Sequence, residues 1–430
     1  MTSTILILLT GLSILLIGIG LLGTLLGVRA TIESFSSIET GLIMAGYYAG
    51  YIAGTLLSPR MIRNVGHVRS FAAFAAAAAA SSLAFGLLID PAAWFVLRVL
   101  NGLCVVGLYM VVESWLNEQA AGPYRGRIFS FYMMSTLIAL GTGQFLLLAG
   151  DTAELTLFAI AAILIALGLI PVAITRVHEP SIAPEKASDF MTLLRAAPLG
   201  TIGALCAGLV NGVFWGMTPV FGQSLMLGES QIALIMSATI LGGAVLQWPI
   251  GHLSDRFDRR SILIVISFAT AIAATVSAWI VIRNYPGLIL SAFIYGGLMF
   301  SLYGISVAHA YDQIEHGHEL EATRALLLVY GIGAFAGPLL AGVCMELFGP
   351  VGLPGISAST VSLLALYGLY RVTRRASLPL DQQTEFVPMV RTTPVALEMH
   401  PDVDTHTHEN ESVGQQQSGS DDAIEPAHKP

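Results

Sequence analysis

The sequence predicts an all-α integral membrane protein with twelve transmembrane helices in two six-helix halves. Three observations carry this. Of the 430 residues, 55% are hydrophobic and only 11% charged, where a soluble domain carries about a quarter charged residues. Twelve apolar runs approach the roughly 20 residues a helix needs to cross a hydrocarbon core. The longest polar break between runs, residues 176–198, falls after the sixth.

The first run, 5–28, is as long as a span and lacks both a basic leader and a small-residue cleavage site. It therefore reads as span one, not as a cleaved signal. The others follow at 39–57, 71–89, 93–113, 127–149, 153–175, 199–221, 231–250, 261–281, 286–309, 323–345 and 352–371. Cys104, Cys206 and Cys344 all lie inside such runs, which suits packing as small hydrophobes better than a disulfide or a metal site.

Basic residues orient a bundle, because they are retained on the cytoplasmic side. With the amino terminus inside, the inner segments collect 17 of the 20 Lys and Arg residues; Arg29 and Arg283 face outward and Arg98 lies within the membrane. The expectation is a multi-pass protein of the cytoplasmic (inner) membrane with both termini in the cytoplasm. Residues 1–175 and 199–371 form the two halves, 176–198 the cytoplasmic central loop, and 372–430 a tail. The net charge of -8 is located in that tail, since residues 381–430 hold 10 acidic and 2 basic residues while the rest is balanced at 18 and 18. Rich in polar residues and proline, the tail has too little apolar content to order itself. His406 and His408 beside Asp402 and Asp404 read as solvated tail before they read as metal ligands.

The eighth run ends in Gly251-His252-Leu253-Ser254-Asp255-Arg256-Phe257-Asp258-Arg259-Arg260. A glycine permits close helix approach, Asp255 can accept from a neighbouring helix's N–H groups, and the arginines suit carboxylates or lipid phosphates. A decayed copy follows the second run: Gly54 and Arg60, then Arg63, Gly66 and Arg69, with Ser58 in place of the aspartate. The same signal at the same place in both halves marks an internal repeat.

This pattern resembles the loop motif of the major facilitator superfamily, Gly-x-x-x-Asp-Arg-x-Gly-Arg-Arg, and the resemblance covers residues 1 to 371. Asp258 departs from the motif's second glycine. Span four adds Arg98-Val99-Leu100-Asn101-Gly102, similar to the family's Arg-x-x-Gln/Asn-Gly. Glu113-Ser114-Trp115-Leu116-Asn117 and Tyr47-Tyr48-Ala49-Gly50 resemble the bacterial YcaD-like branch. The resemblance implies a secondary transporter working by alternating access, with cytoplasmic gate candidates Gly54, Arg63, Gly66, Arg69, Glu113, Arg125, Arg127, Gly251, Asp255, Arg256, Arg259 and Arg260.

An arginine in hydrocarbon costs about 2.5–3.5 kcal/mol on insertion scales, so Arg98 turns toward protein or a water-filled cavity. The family implies that it couples transport to protons; a structural bond to carbonyls is the alternative. Glu113 lies 15 residues further on, about 22 Å along the helix, too far to pair with Arg98. Arg125 or Arg127 are its expected partners, as interfacial cap or as gate latch, and Trp115 suits the membrane interface.

The family's cavity lies at mid-membrane between the halves. Polar and aromatic residues of the helices there are the candidate lining: Asn101, Tyr109, Gln144, Asn211, Trp215, Gln247, Tyr295 and Tyr303. Each has an alternative as glue between helices. Asn211 and Trp215 are four apart and share a helix face.

No phosphate-binding Gly-x-x-x-x-Gly-Lys-Ser/Thr loop, His-Glu-x-x-His or clustered Cys/His set occurs. The expectations are accordingly no enzyme activity, no cofactor, no metal and no nucleic acid. The partners expected are a small organic solute, protons as a coupling option, and the bilayer, for a monomer. A membrane sensor that uses its acidic tail on a cytoplasmic partner, and an uncoupled facilitator, are the alternatives.

Overall fold

The computed structural model describes residues 3–119, 125–174, 190–280, 285–314 and 319–374. The central loop to residue 189 and the tail beyond residue 374, with their expected roles, lie outside these. The first half consists of α1 (Ser3–Ile32), α2 (Ser37–Val65), α3 (His67–Leu87), α4 (Pro91–Gln119), α5 (Arg125–Phe145) and α6 (Thr156–Ile174). A short α7 (Phe190–Ala196) precedes the second half. That half comprises α8 (Pro198–Ser224), α9 (Glu229–Arg256), α10 (Arg259–Ile280), α11 (Tyr285–Tyr311), α12 (Glu319–Phe348) and α13 (Gly352–Val372).

Each expected span coincides with one of these long helices, which have 19 to 30 residues, although 71–89, 127–149, 153–175 and 261–281 overrun the helix ends. At 1.5 Å per residue even the shortest reaches about 28 Å, close to the ~30 Å hydrocarbon thickness. Apolar length alone picks out ten stretches, because α12 and α13 run together and α2 is passed over. α2 is rich in Gly and Tyr and carries Glu39, Arg60 and Arg63. Its neighbours are α4, α12, α8 and α3, so much of its surface is covered by protein and does not need to be uniformly apolar.

Local chemistry sets the helix ends. Ser36 and Glu39 form a reciprocal capping box at the start of α2. Asp90 accepts from the Ala93 N–H at 2.8 Å, and Pro91 opens α4 where its missing N–H costs nothing. Between α2 and α3 the chain turns at Gly66 with φ of 89°, a conformation open to glycine.

Helices α2 and α4 approach closely because glycine meets carbonyl on both sides: Gly50 faces Val99 O and Gly102 faces Tyr47 O. A β-carbon at either position would strike backbone. The second half repeats the device between α9 and α11, with Gly242 on Phe293 O and Gly296 on Thr239 O. Between the halves, α1 packs on α8, α2 on α12 and α5 on α9. With helices alternating in direction, the start of α1 and the end of α13 share one end of the bundle with Arg60–Arg69 and Arg256–Arg260. This is the basic end; Arg29, Ser36 and Glu346 mark the opposite one.

Candidate functional site

At the seam, a cavity of about 420 Å³, part of it open to solvent, is lined by Ile19, Gly20 and Gly23 of α1 and by Met44, Tyr47 and Tyr48 of α2. Arg98 of α4, Leu140 of α5, and Trp215 and Gly216 of α8 complete the wall. The α2–α4 glycine contact brings Arg98 onto Tyr47, its guanidinium carbon 4.9 Å from the ring centre. Its Nη2 lies 3.7 Å from the Met44 sulfur. A desolvated stack of this kind stabilises by about 2 kcal/mol, much of the ~2.5–3.5 kcal/mol cost of inserting the cation. Among the described residues no acidic side chain lines this cavity.

One turn along α4, Asn101 is wholly buried, and neither its amide nitrogen nor its oxygen has a partner among the described residues. Leaving such a group unmatched costs about 1–3 kcal/mol. Of the candidate lining residues, the cavity takes in Trp215, beside the coupling candidate Arg98. Gln144 instead joins α1 to α5: it donates to Gly20 O at 3.2 Å and Leu140 O at 2.9 Å and accepts from Thr24. Asn211 donates to Ala207 O of its own helix at 2.9 Å, and Gln247 reaches Phe300 O at 3.4 Å. Tyr303 packs on Tyr330 with ring centres 4.8 Å apart. Tyr295 lines a separate, apolar pocket within the second half. Tyr47 and Tyr48 stood out in the sequence only as part of a branch motif; their five-residue neighbourhood of Gly46 and Gly50 was the signal that α2 faces another helix closely.

Glu113 is completely buried, and the Tyr132 hydroxyl of α5 donates to it at 2.5 Å. Tyr109 and Tyr51 lie around the same hydroxyl. This corrects the expected Arg127 pairing: Arg127 is exposed and lies over the Phe131 ring at 5.9 Å. The Arg125 side chain is outside the described residues. Trp115 is likewise not at an interface. It has no exposure and packs against His67 and Phe71, with ring centres 5.8 and 6.2 Å away, because the inner half of α4 is buried on nearly every side.

At the basic end, Arg259 is buried and binds Asp255 at 3.0 Å and Asp312 at 2.7 Å, tying α9, α10 and the end of α11 together. Arg260 approaches Asp258 at 3.4 Å. Gly251 is buried in α9 while Arg63, Arg69 and Arg256 are exposed, and Gly54 fits against Leu103 and Val106 of α4.

Three hydrogen bonds that join the halves all lie toward the Arg29 end. Ser37 N–H donates to Glu346 at 3.1 Å, the Thr152 hydroxyl to Glu229 at 2.7 Å, and the Ser237 hydroxyl to Gly141 O at 3.0 Å. Beside them Gly27 packs on Pro219, and Gly41 on Pro338 and Gly342. Arg29 stiffens this closure by binding Glu33 at 2.6 Å and Thr152 O at 3.1 Å. The sequence reading put every gate candidate at the basic end, and it missed Glu229 because nothing in a sequence pairs it with Thr152.

Two helical halves with a largely apolar cavity holding Arg98 at their seam have the architecture of a membrane transporter, not of an enzyme. The chain belongs to the Major Facilitator Superfamily, whose profile matches residues 4–199 and 200–401. It is 29% identical over 381 residues to the MFS-type transporter YcaD of Escherichia fergusonii, covering 88% of this chain and 98% of that one. YcaD of Escherichia coli K12 is 28% identical over 372 residues, covering 86% and 96%. Among solved structures, the nucleoside transporter NupG superposes with a TM-score of 0.70 at 14% identity, over 87% of this chain and 100% of the other. A bacterial homologue of the human lysosomal transporter Spinster, in an inward-facing and unoccupied conformation, gives 0.64 at 15% identity, over 87% and 95%.

Proposed function

We propose that the protein moves a small organic anion across the membrane by alternating access through the seam cavity. The observation that carries this is the buried Arg98 stacked on Tyr47 in a cavity without an acidic wall. A carboxylate would take charge-assisted bonds from the guanidinium, Asn101 offers a donor and an acceptor one turn away, and Trp215 and the tyrosines suit a flat or apolar remainder. The contacts at the Arg29 end support reading this conformation as the one closed on that side and accessible from the basic side. The basic side is the cytoplasm under the positive-inside argument. Glu113, buried against Tyr132, joins Arg98 as a candidate for coupling to protons.

The test uses purified protein in proteoliposomes, with and without a pH gradient, and matched pairs of small carboxylic acids and their amides. Saturable uptake or efflux of acids over amides is the expected result, and equal or better transport of amides or amines removes the anion reading. Single cysteines at Asn64 and Asp151, both exposed, report orientation: impermeant reagents should reach Asp151→Cys from outside and Asn64→Cys only from inside.

A further inference from the structure

A second polar pocket lies in the other half, away from the seam. About 320 Å³ of space, part of it open to solvent, is bounded by Ala196–Leu199 at the start of α8, Arg260 at the start of α10, His309 and Gln313 at the end of α11, and Arg371 at the end of α13. Four helix ends therefore meet at the basic end of the bundle, and each brings a donor. Ala197 gives α8 no side-chain cap and Pro198 has no N–H, so the positive end of that 27-residue helix borders the pocket at Leu199 without a capping oxygen. His309 is 6% exposed and has no hydrogen-bond partner among the described residues, although it lines the space. Arg260 is 8% exposed, and the carboxylate of Asp258, 3.4 Å from its Nε, is not part of the lining.

We propose that this pocket binds a phosphate group. Arg260, which Asp258 approaches from outside the lining, and Arg371 give the space a positive potential that favours an anion. The donors converge from four separate elements, which suits an oxyanion with several acceptor oxygens. Helix starts and arginine forks are both established phosphate partners. The phosphate has two possible sources. The basic end of the helices is the level at which headgroups of a leaflet lie, so an anionic lipid can supply it, and so can phosphate dissolved in the adjoining compartment.

The experiment measures thermal unfolding of the purified full-length protein in detergent. One arm titrates inorganic phosphate against chloride at matched ionic strength; the other titrates micelles doped with phosphatidic acid or phosphatidylglycerol against phosphatidylcholine. Arg371→Gln removes a partly exposed cation, and His309→Phe removes the ring donor while keeping its bulk; neither residue belongs to the seam cavity. Stabilisation by phosphate that needs about tenfold more ligand in Arg371→Gln assigns the site to the dissolved ion. The same pattern with anionic lipid only assigns it to the headgroup. Equal stabilisation by chloride, no ligand-dependent shift, or shifts unchanged in both variants overturns the proposal. Native mass spectrometry of the unmodified protein gives an independent reading, because retained phosphate or anionic lipid does not depend on either variant folding.

Discussion

Arg259 of α10 and Asp312, one residue past α11, are 2.7 Å apart with side chains 1% and 2% exposed. Asp312 is held there by Arg259, which Asp255 binds as well at 3.0 Å. Asp312→Asn is expected to lower stability by about 3–5 kcal/mol, the usual range for stripping one partner from a buried pair. Replacing both residues by apolar ones of similar size should cost less than either single change. Thermal unfolding of the four proteins in detergent checks this, and additive losses would show that the pair is not coupled.

The closure at the Arg29 end rests on two carboxylates of the second half, Glu229 and Glu346, that accept from Thr152 and Ser37 of the first. Neutralising them weakens the bonds without removing the acceptors' shape. Glu229→Gln with Glu346→Gln is expected to raise access to a Met44→Cys reporter from the Arg29 side by about fivefold or more. An impermeant maleimide in oriented vesicles measures it. Unchanged labelling would leave the apolar packing of Gly27 on Pro219 and Gly41 on Pro338 as the closure.

Long apolar runs read well from sequence because membrane length and hydropathy are local properties, and each expected span overlaps one long helix, with the errors confined to the ends. Pairings across the bundle read poorly because they are set by helix rotation and tilt. Trp115 shows the limit: an aromatic at a helix end suits an interface, yet α4 continues to Gln119 and carries it into the packed interior. Gln144 shows it again, as a polar residue with two bonds to α1 and one within α5. Arg98 was legible because its cost in hydrocarbon is large enough to demand a reason, whereas Tyr47, which supplies the stacking face, is unremarkable in a list of membrane residues.

Glu113 has no exposure and receives the Tyr132 hydroxyl at 2.5 Å. Glu113→Gln keeps an oxygen for that bond and removes the titratable proton. If the carboxyl carries the coupled proton, this variant loses accumulation driven by a pH gradient and retains solute exchange between equal compartments. Tyr132→Phe, which strips the donor, is expected to lower stability by about 1.5–3 kcal/mol while the carboxylate is charged. Full gradient-driven accumulation by the Gln variant assigns Glu113 to packing alone.

Arg98 makes the sharpest demand on the seam cavity, because charge and planarity can be separated there. Arg98→Lys keeps the charge but loses the flat guanidinium on Tyr47 and its multiple donors, so carboxylate affinity should fall by about tenfold with folding nearly intact. Arg98→Gln removes the charge and its insertion cost, and should abolish the preference for acids over their amides while leaving expression and thermal stability at or above those of the parent. Tyr47→Phe keeps the ring face and should change little. Binding measured by Trp215 fluorescence, in a background where the other four tryptophans are phenylalanine, reads affinity apart from flux. If Arg98→Gln still prefers acids and transports them at the parental rate, the guanidinium holds α4 against α2 and takes no part in recognising the solute.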